Sequence, residues 1–385
     1  MTVRPNNPEA AASGLSSDLR TIGAHPNYWY PVAWSRELKG GKTCAARFAG
    51  EPIVLVRPTN GPVFALEDRC AHRQVPLSKG AVDGCTIRCC YHGWRYDASG
   101  QCVDVPHLGK GKLPNGVRSY PCSERDGIIF VWPGMATAAN PLQRIGAAAD
   151  PSYKTRRFGK LVQCHYTFMH ENLMDMNHQF LHRRTTGKVA PRYLGSRAGD
   201  GWMEVDYSFS RPDQKPPLGE AVIVGGLRGR SSTARDLMTV RTEYPYQTLR
   251  MWTGHDEPVL SVWLRYTPVD AAQRRNRTFV VLSVRRPRIP GVLDLAWPML
   301  AWFTSRVFTE DCEIVEIEQA AYDAQGADWN QEVFPPIRDL RKLLRECGKS
   351  PDSHSGALRS DELRCAIAHR RISRFRVRAK TRAPE

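Results

Sequence analysis

The sequence contains no unbroken apolar run long enough to cross a bilayer. Its longest apolar stretch, around Leu293 to Phe303, carries Asp294 and Pro298 and reads as a buried or half-buried helix. Met1 to Leu19 holds Pro5, Pro8 and scattered acids where a signal peptide needs a continuous apolar core, so export is not expected. The 11 cysteines are odd in number and scattered, which argues against a disulfide framework and for a reducing cytoplasm. A Gly-x-Gly-x-x-Gly turn between a strand and a helix is missing, so the chain has no dinucleotide-binding fingerprint of its own. Internal repeats are missing too. Acidic residues are outnumbered, 39 Asp and Glu against 55 Lys and Arg, for a net charge of +16. Part of that excess is local, because Arg364, Arg370, Arg371, Arg374, Arg376, Arg378, Lys380 and Arg382 crowd the end of the chain. Without an accompanying recognition motif this tail reads as a solvated segment, and neither nucleic acid nor membrane is expected as a partner.

A length of 385 residues with 41% hydrophobic content suffices for two compact domains with real cores. Residues 1–45 read as a lead-in, 46–140 and 150–345 as two domains, and 346–385 as the basic tail. In the first domain short apolar runs alternate with turns. Ile53 to Val56 and Val63 to Leu66 flank Thr59-Asn60-Gly61, and further short strands are expected at Thr86 to Cys90, Cys102 to Val105 and Ile128 to Trp132. In the second, Gln163 to His182 lacks proline and glycine and predicts one helix, with Glu171, Asp175, His178 and His182 along one side. After Gly187 the pattern alternates, with Met203, Val205, Tyr207 and Phe209 apolar between polar neighbours, as in a half-buried antiparallel strand. Strands near Met238 to Glu243, Leu249 to Thr253, Leu260 to Thr267 and Thr278 to Arg285 follow, then a late helix from about Leu293 to Ala324 interrupted near Pro298. The fold class is α+β.

Two short segments carry the chemistry of the first domain. Cys70-Ala71-His72 is followed, after sixteen intervening residues, by Cys89-Cys90-Tyr91-His92, the pattern C-x-H-x16-C-x2-H. Each loop offers one thiolate and one imidazole, which suits a [2Fe-2S] cluster with Cys70 and Cys89 on one iron and His72 and His92 on the other. Exchanging two thiolates for neutral imidazoles raises the reduction potential. The competing reading is a structural Cys2His2 zinc knot, whose histidines more usually stand at H-x3-5-H spacing. Cys90 and Cys85 are expected to be bystanders. The surrounding residues, Asp68-Arg69-Cys70-Ala71-His72-Arg73, Pro76-Leu77-Ser78, Gly80, Tyr91 to Asp97 and Gly100, resemble the Rieske domain of the large catalytic subunit of Rieske non-heme iron oxygenases. The resemblance extends over roughly Asn27 to Ala324 and implies a Rieske β-sandwich followed by a catalytic helix-over-antiparallel-sheet domain of helix-grip type.

A second metal centre is expected in that catalytic domain. His178 and His182 stand at i and i+4, a spacing that turns two imidazoles toward one point. Two imidazoles and one carboxylate on one face of Fe(II) leave positions open for O2 and substrate. Asp311 is the third ligand of choice, because it falls within an apolar stripe of Val307, Phe308, Ile314 and Val315, where an unpaired carboxylate would cost several kcal/mol. Glu310, Glu313 and Glu316 are expected on the solvated side. The family pattern agrees on Asn172, Asp175, His178, His182 and Glu310-Asp311, with the histidines closer together than is usual. In resembling enzymes the aspartate matching Asp175 joins an iron-site histidine to a Rieske histidine of the neighbouring subunit. That role, carried over, makes Asp175 the catalytic link between His178 and His92 of an adjacent chain.

The resemblance implies O2 as co-substrate and NAD(P)H electrons arriving through a separate flavin reductase or ferredoxin. A basic surface would steer an acidic carrier. It also implies a homotrimer of the monooxygenase or demethylase sort acting on an aromatic or related small organic substrate. Ring hydroxylation, cis-dihydroxylation and aliphatic hydroxylation are the alternatives; a pure electron-transfer Rieske protein with a ligand-binding domain is the non-enzymatic one. Arg241, Arg250 and Arg265, on predicted strands, could pair with a substrate carboxylate, although strand arginines usually face solvent.

Overall fold

The computed structural model describes residues 18–349 apart from 109–110, 136–137, 139–141, 143, 211–235, 254–256 and 288. The cluster of basic residues expected as a tail lies outside the described residues.

The first half is built from short antiparallel strands: Tyr30–Trp34 (β1), Lys42–Phe48 (β2), Glu51–Arg57 (β3), Phe64–Glu67 (β4), Ala81–Asp83 (β5), Thr86–Arg88 (β6), Arg95–Tyr96 (β7), Cys102–Asp104 (β8), Ser119–Tyr120 (β9), Cys122–Arg125 (β10) and Ile128–Val131 (β11). They form three sheets in the orders β1-β11-β10, β2-β3-β4-β9 and β5-β6-β7-β8. Val54, Val56, Phe64, Leu66, Ile87 and Tyr96 fill the core between the latter two, and Cys70 and Cys89 belong to that core.

A single helical turn, Gly146–Ala149 (α1), precedes the second half. Its sheet comprises Tyr153–Phe158 (β12), Leu161–Val162 (β13), Ala190–Gly199 (β14), Trp202–Ser210 (β15), Asp236–Glu243 (β16), Tyr246–Thr253 (β17), Leu260–Pro268 (β18) and Asn276–Arg285 (β19). The order is β12-β19-β18-β17-β16-β15-β14, with β13 also paired to β19. The alternation along β15 is realised: Met203, Val205 and Tyr207 are buried and their neighbours are not. One face of the sheet packs on helices, through Val205, Tyr207, Val240, Leu264 and Tyr266. The other packs Phe279, Val281 and Trp263 against Trp34, Ile128 and Phe130 of the first half. The β2–β3 turn docks onto the β18–β19 turn, where Ala49 N–H donates to the Pro268 carbonyl at 2.8 Å and Gly50 N–H to Val269 at 3.2 Å. Gly50 has φ +89°, and a Cβ there would lie 2.9 Å from the Ala271 methyl, so this close approach needs glycine.

The helices differ from expectation in two places. Gln163 to His182 is not one helix. It divides into Tyr166–Met174 (α2), a 3-10 segment Met176–Phe180 and a turn Arg183–Thr186 (α3). Asp175 makes the break: its backbone is extended and its carboxylate accepts from Asn177 N–H, so it ends one helix and caps the next. Conversely, Val292–Gln325 (α4) runs through Pro298 without interruption. The proline sits near the start of a 34-residue helix whose Leu293 and Leu300 pack on Leu260, Leu282 and Val284, and that burial outweighs one lost backbone bond. Pro335–Cys347 (α5) closes the described fold. Among the described residues no helix is long and apolar enough to cross a membrane.

Candidate metal centres

The two Cys-His loops have matching backbones. Cys70 N–H donates to the Val75 carbonyl and Gln74 N–H back to Cys70, both at 2.9 Å; Cys89 N–H donates to Trp94 at 2.8 Å and Gly93 N–H to Cys89 at 3.2 Å. Each loop turns back at its fifth residue through a positive φ, +61° at Gln74 and +74° at Gly93. This closure buries the Cys70 and Cys89 thiols side by side, while His72 and His92 remain exposed with ring centroids 4.5 Å apart. Burial first, and neighbouring Cys70 after it, hold the Cys89 thiol above its usual range, as expected of two sulfurs packed side by side. The donor set of two buried sulfurs and two outer imidazoles fits a Rieske cluster. Cys85 and Cys90 are exposed, apart from the buried sulfur pair.

Two neighbours were not legible from ligand spacing. The Tyr96 hydroxyl lies 3.2 Å from Cys70 Sγ and accepts the Ala71 N–H at 3.1 Å. Burial first, and Cys70 second, push the phenol well above its ordinary pKa, so it keeps its proton and donates to sulfur. Trp94 stacks on His72 at 4.7 Å with planes 3° apart, fixing that imidazole's orientation.

In the second half, the broken helix brings His178 and His182 to Asp311 on α4. Ligand atoms of all three lie within 4.8 Å of one another. Asp311 Oδ1 is 3.1 Å from His182 Nε2, 3.7 Å from His178 Nε2 and 3.0 Å from the Asn172 Nδ2 that donates to it. Each histidine is held at its other nitrogen by an oxygen, His178 Nδ1 by the Asp175 carbonyl at 2.5 Å and His182 Nδ1 by Glu310 Oε2 at 2.8 Å. Such acceptors favour a proton on Nδ1, which would free Nε2 to bind a cation shared with the carboxylate. Burial alone would raise Asp311 and lower His182. His182 and His178 nevertheless hold Asp311 below its usual range, and Asp311 and Glu310 raise His182, so the cluster is built to surround positive charge.

Three expectations need correction. Glu310 is not on the solvated side: it is 8% exposed and accepts from His182, from Thr185 Oγ1 at 2.6 Å and from Arg306 Nε at 3.1 Å. The helix turns 100° per residue, so adjacent Glu310 and Asp311 meet opposite sides of the same imidazole. Glu171 does not share a face with the histidines but pairs with Arg20 and Arg341. Arg241, Arg250 and Arg265 point from the sheet face opposite to the one packed on α2, away from Asp311. Asp175 offers His178 its carbonyl, and one carboxylate oxygen is engaged by Asn177.

Comparison with known proteins assigns each half of the chain to a family. Residues 28–121 match the Rieske [2Fe-2S] domain, and residues 162–335 match the vanillate O-demethylase oxygenase C-terminal domain. The 4beta-methylsterol monooxygenase of Methylococcus capsulatus is 31% identical over 354 residues, 86% of this chain and 90% of its own. The oxygenase component of dicamba O-demethylase from Stenotrophomonas maltophilia is 40% identical over 162 residues, 41% of this chain and 47% of its own. Crystalline dicamba monooxygenase bound to 3,6-dichlorosalicylic acid superposes with a TM-score of 0.69 at 25% identity, covering 86% of this chain and 99% of that one. The chain belongs to the Rieske non-heme iron oxygenases, as a catalytic component carrying a [2Fe-2S] cluster and a mononuclear iron and acting as a monooxygenase with electrons from a partner reductase.

Proposed function

We propose that Cys70, His72, Cys89 and His92 hold the cluster, that His178, His182 and Asp311 hold the mononuclear iron, and that the chain hydroxylates or oxidatively demethylates an apolar or aromatic small molecule. The observation that carries this is the convergence of two Nε2 atoms and one carboxylate, each fixed from behind by a hydrogen bond. When bound, the iron supplies O2 activation and the cluster supplies single electrons. The chain's own part is positioning and exclusion of water. Asn172 anchors Asp311, Glu310 and the Asp175 carbonyl orient the imidazoles, and Phe308 brings an aromatic ring one turn from Asp311. Leu249, Met251 and Val262 offer partly buried apolar surface on the same sheet face, which suits an apolar substrate body.

The exposed edge formed by His72, His92 and Tyr91 supports electron transfer to a neighbouring body. In this reading that body is a second copy within a homotrimer, with Asp175 receiving His92, and a ferredoxin or flavin reductase reloads the cluster. All ten described cysteines are free, which supports a reducing cytoplasm as the setting. Known relatives named for dicamba, 4beta-methylsterols and toluene-4-sulfonate define the starting panel. Purified enzyme with a surrogate reductase should couple oxygen uptake to formaldehyde or a hydroxylated product with at least one of them. Iron analysis should give three irons per chain, falling to two in Asp311→Ala with the cluster signal intact; two irons in the wild type would overturn the assignment.

A further inference from the structure

We propose that the cleft between the outer face of the catalytic sheet and the cluster-bearing half is a second ligand site, built for a flat aromatic anion such as an arenecarboxylate or arenesulfonate. The cleft encloses about 610 Å³ and is lined from the sheet by Thr248, Arg250, Ser261, Trp263 and Arg265 and from the other half by Trp29 and Trp132. That volume suits a one- or two-ring molecule. Strand alternation puts these sheet residues opposite Leu264 and Tyr266, which face the helices that carry the iron centre. An occupant of the cleft is therefore separated from Asp311 by the sheet itself.

Arg265 gives the cleft its polarity. It is 1% exposed, and among the described residues no ion pair engages it. One guanidinium nitrogen donates to the Trp29 carbonyl at 2.6 Å, and among the described residues Nε has no hydrogen-bond partner. Its charge otherwise faces rings, 4.3 Å from the Tyr30 centroid and 5.8 Å from that of Tyr246. A cation buried without an anion is a costly arrangement, and burial pulls Arg265 down to about 10. At the mouth, Arg250 is exposed and Arg144 stands nearby, while Arg241 is already engaged by Glu243 at 3.3 Å. Asp150 and Glu257 also line the cleft, so selectivity for an anion must come from the buried guanidinium and not from the rim. Trp29 meets Trp132 edge-on at 5.8 Å, and Trp263 tilts over Tyr246 at 6.2 Å, so the walls of the cleft are aromatic, which suits a flat ring.

The test uses 2-naphthoate and its uncharged counterpart 2-naphthalenemethanol, titrated into the holoenzyme with tryptophan fluorescence and equilibrium dialysis as readouts. We expect one saturable naphthoate site that persists in Asp311→Ala, and at least tenfold weaker binding of the alcohol. Ser261→Trp, which fills the cleft from a half-buried strand position, should weaken naphthoate at least tenfold while cluster absorbance and circular dichroism stay unchanged. Arg265→Met should do the same if it folds; Ser261→Trp decides the matter if it does not. Three results would overturn the proposal: naphthoate binding lost in Asp311→Ala but kept in Ser261→Trp, equal binding of acid and alcohol, or no binding to wild type together with altered oligomeric state in Ser261→Trp. The last would make the cleft a contact between copies of the chain.

Discussion

Replacing Glu310 by alanine tests how far the proposed iron centre depends on a carboxylate outside its proposed ligand set. In the structure, Glu310 Oε2 is 2.8 Å from His182 Nδ1 while Asp311 Oδ1 is 3.1 Å from Nε2 of the same ring. Without Glu310 the proton can settle on either nitrogen, and in the wrong tautomer the lone pair faces away from the metal position. A hydrogen bond between charged and polar groups contributes roughly 1.5–3 kcal/mol, which corresponds to about ten- to a hundredfold in affinity. Glu310→Ala should therefore weaken Fe(II) binding by about that factor in a chelator competition, with the [2Fe-2S] absorbance unchanged as internal control. Glu310→Gln retains a neutral acceptor for Nδ1–H and should recover most of the loss. Thr185→Val removes the α3 hydroxyl that donates to Glu310 while leaving Glu310 on His182, so it separates packing from imidazole orientation and should keep Fe(II) affinity near that of the wild type. Wild-type Fe(II) affinity in Glu310→Ala would refute the reasoning.

Further expectations follow from other groups. Asp175→Asn keeps the backbone carbonyl that holds His178, so both metal centres should stay loaded while electron passage between them slows sharply; normal single-turnover rates would remove Asp175 from the relay. Tyr96→Phe deletes the donor 3.2 Å from Cys70 Sγ, and a differential of about 1 kcal/mol between redox states would lower the cluster midpoint by about 40 mV in a spectroelectrochemical titration. His170 is fully buried, neither ring nitrogen is hydrogen-bonded among the described residues, and burial lowers it to about 3. Because its folded value lies below the unfolded one, the stability it contributes is intact above about pH 6.5 and is lost as pH falls toward 3, by about 2 kcal/mol between pH 7 and 5. Denaturant midpoints of His170→Phe should be less sensitive to that acidification than those of the wild type.

Legibility of the sequence followed the range of the interactions involved. The cluster loops could be placed because four ligands fall in two short segments, and the backbone bonds from Cys70 to Val75 and from Cys89 to Trp94 are equally local. The sheet was visible because alternation along β15 is a property of one strand in contact with one core. What stayed hidden is set by partners far away in sequence. Composition alone favoured one helix from Gln163, yet Asp175 competes for the backbone as a cap, and no count of glycine and proline registers that. Glu310 read as solvated because its partner, His182, is 128 residues distant. Arg265 read as an ordinary strand arginine because the Trp29 carbonyl and the Tyr30 ring that enclose it belong to the other half of the molecule.

The same dependence on distant partners explains how a broken helix can hold the proposed metal ligands in register. Adjacent residues of α2 have separate duties: Asn172 reaches Asp311, while Glu171 joins Arg20 near the start of the described chain and Arg341 of α5. Arg341 also engages Asp328, beyond the end of α4, and Tyr322 of α4 donates to Asp18 at 2.9 Å. The network thus ties four segments to α2 just before the break at Asp175. Because Arg20 and Arg341 are buried, their removal would leave Glu171 as an uncompensated charge, a cost of several kcal/mol that disfavours any displacement of α2 relative to α4. The Asn172–Asp311 bond crosses between those same two helices. The buried ion network therefore fixes the separation across which His178, His182 and Asp311 must meet, and the short, capped segments after Asp175 need only deliver two imidazoles to a point the rest of the fold has already set.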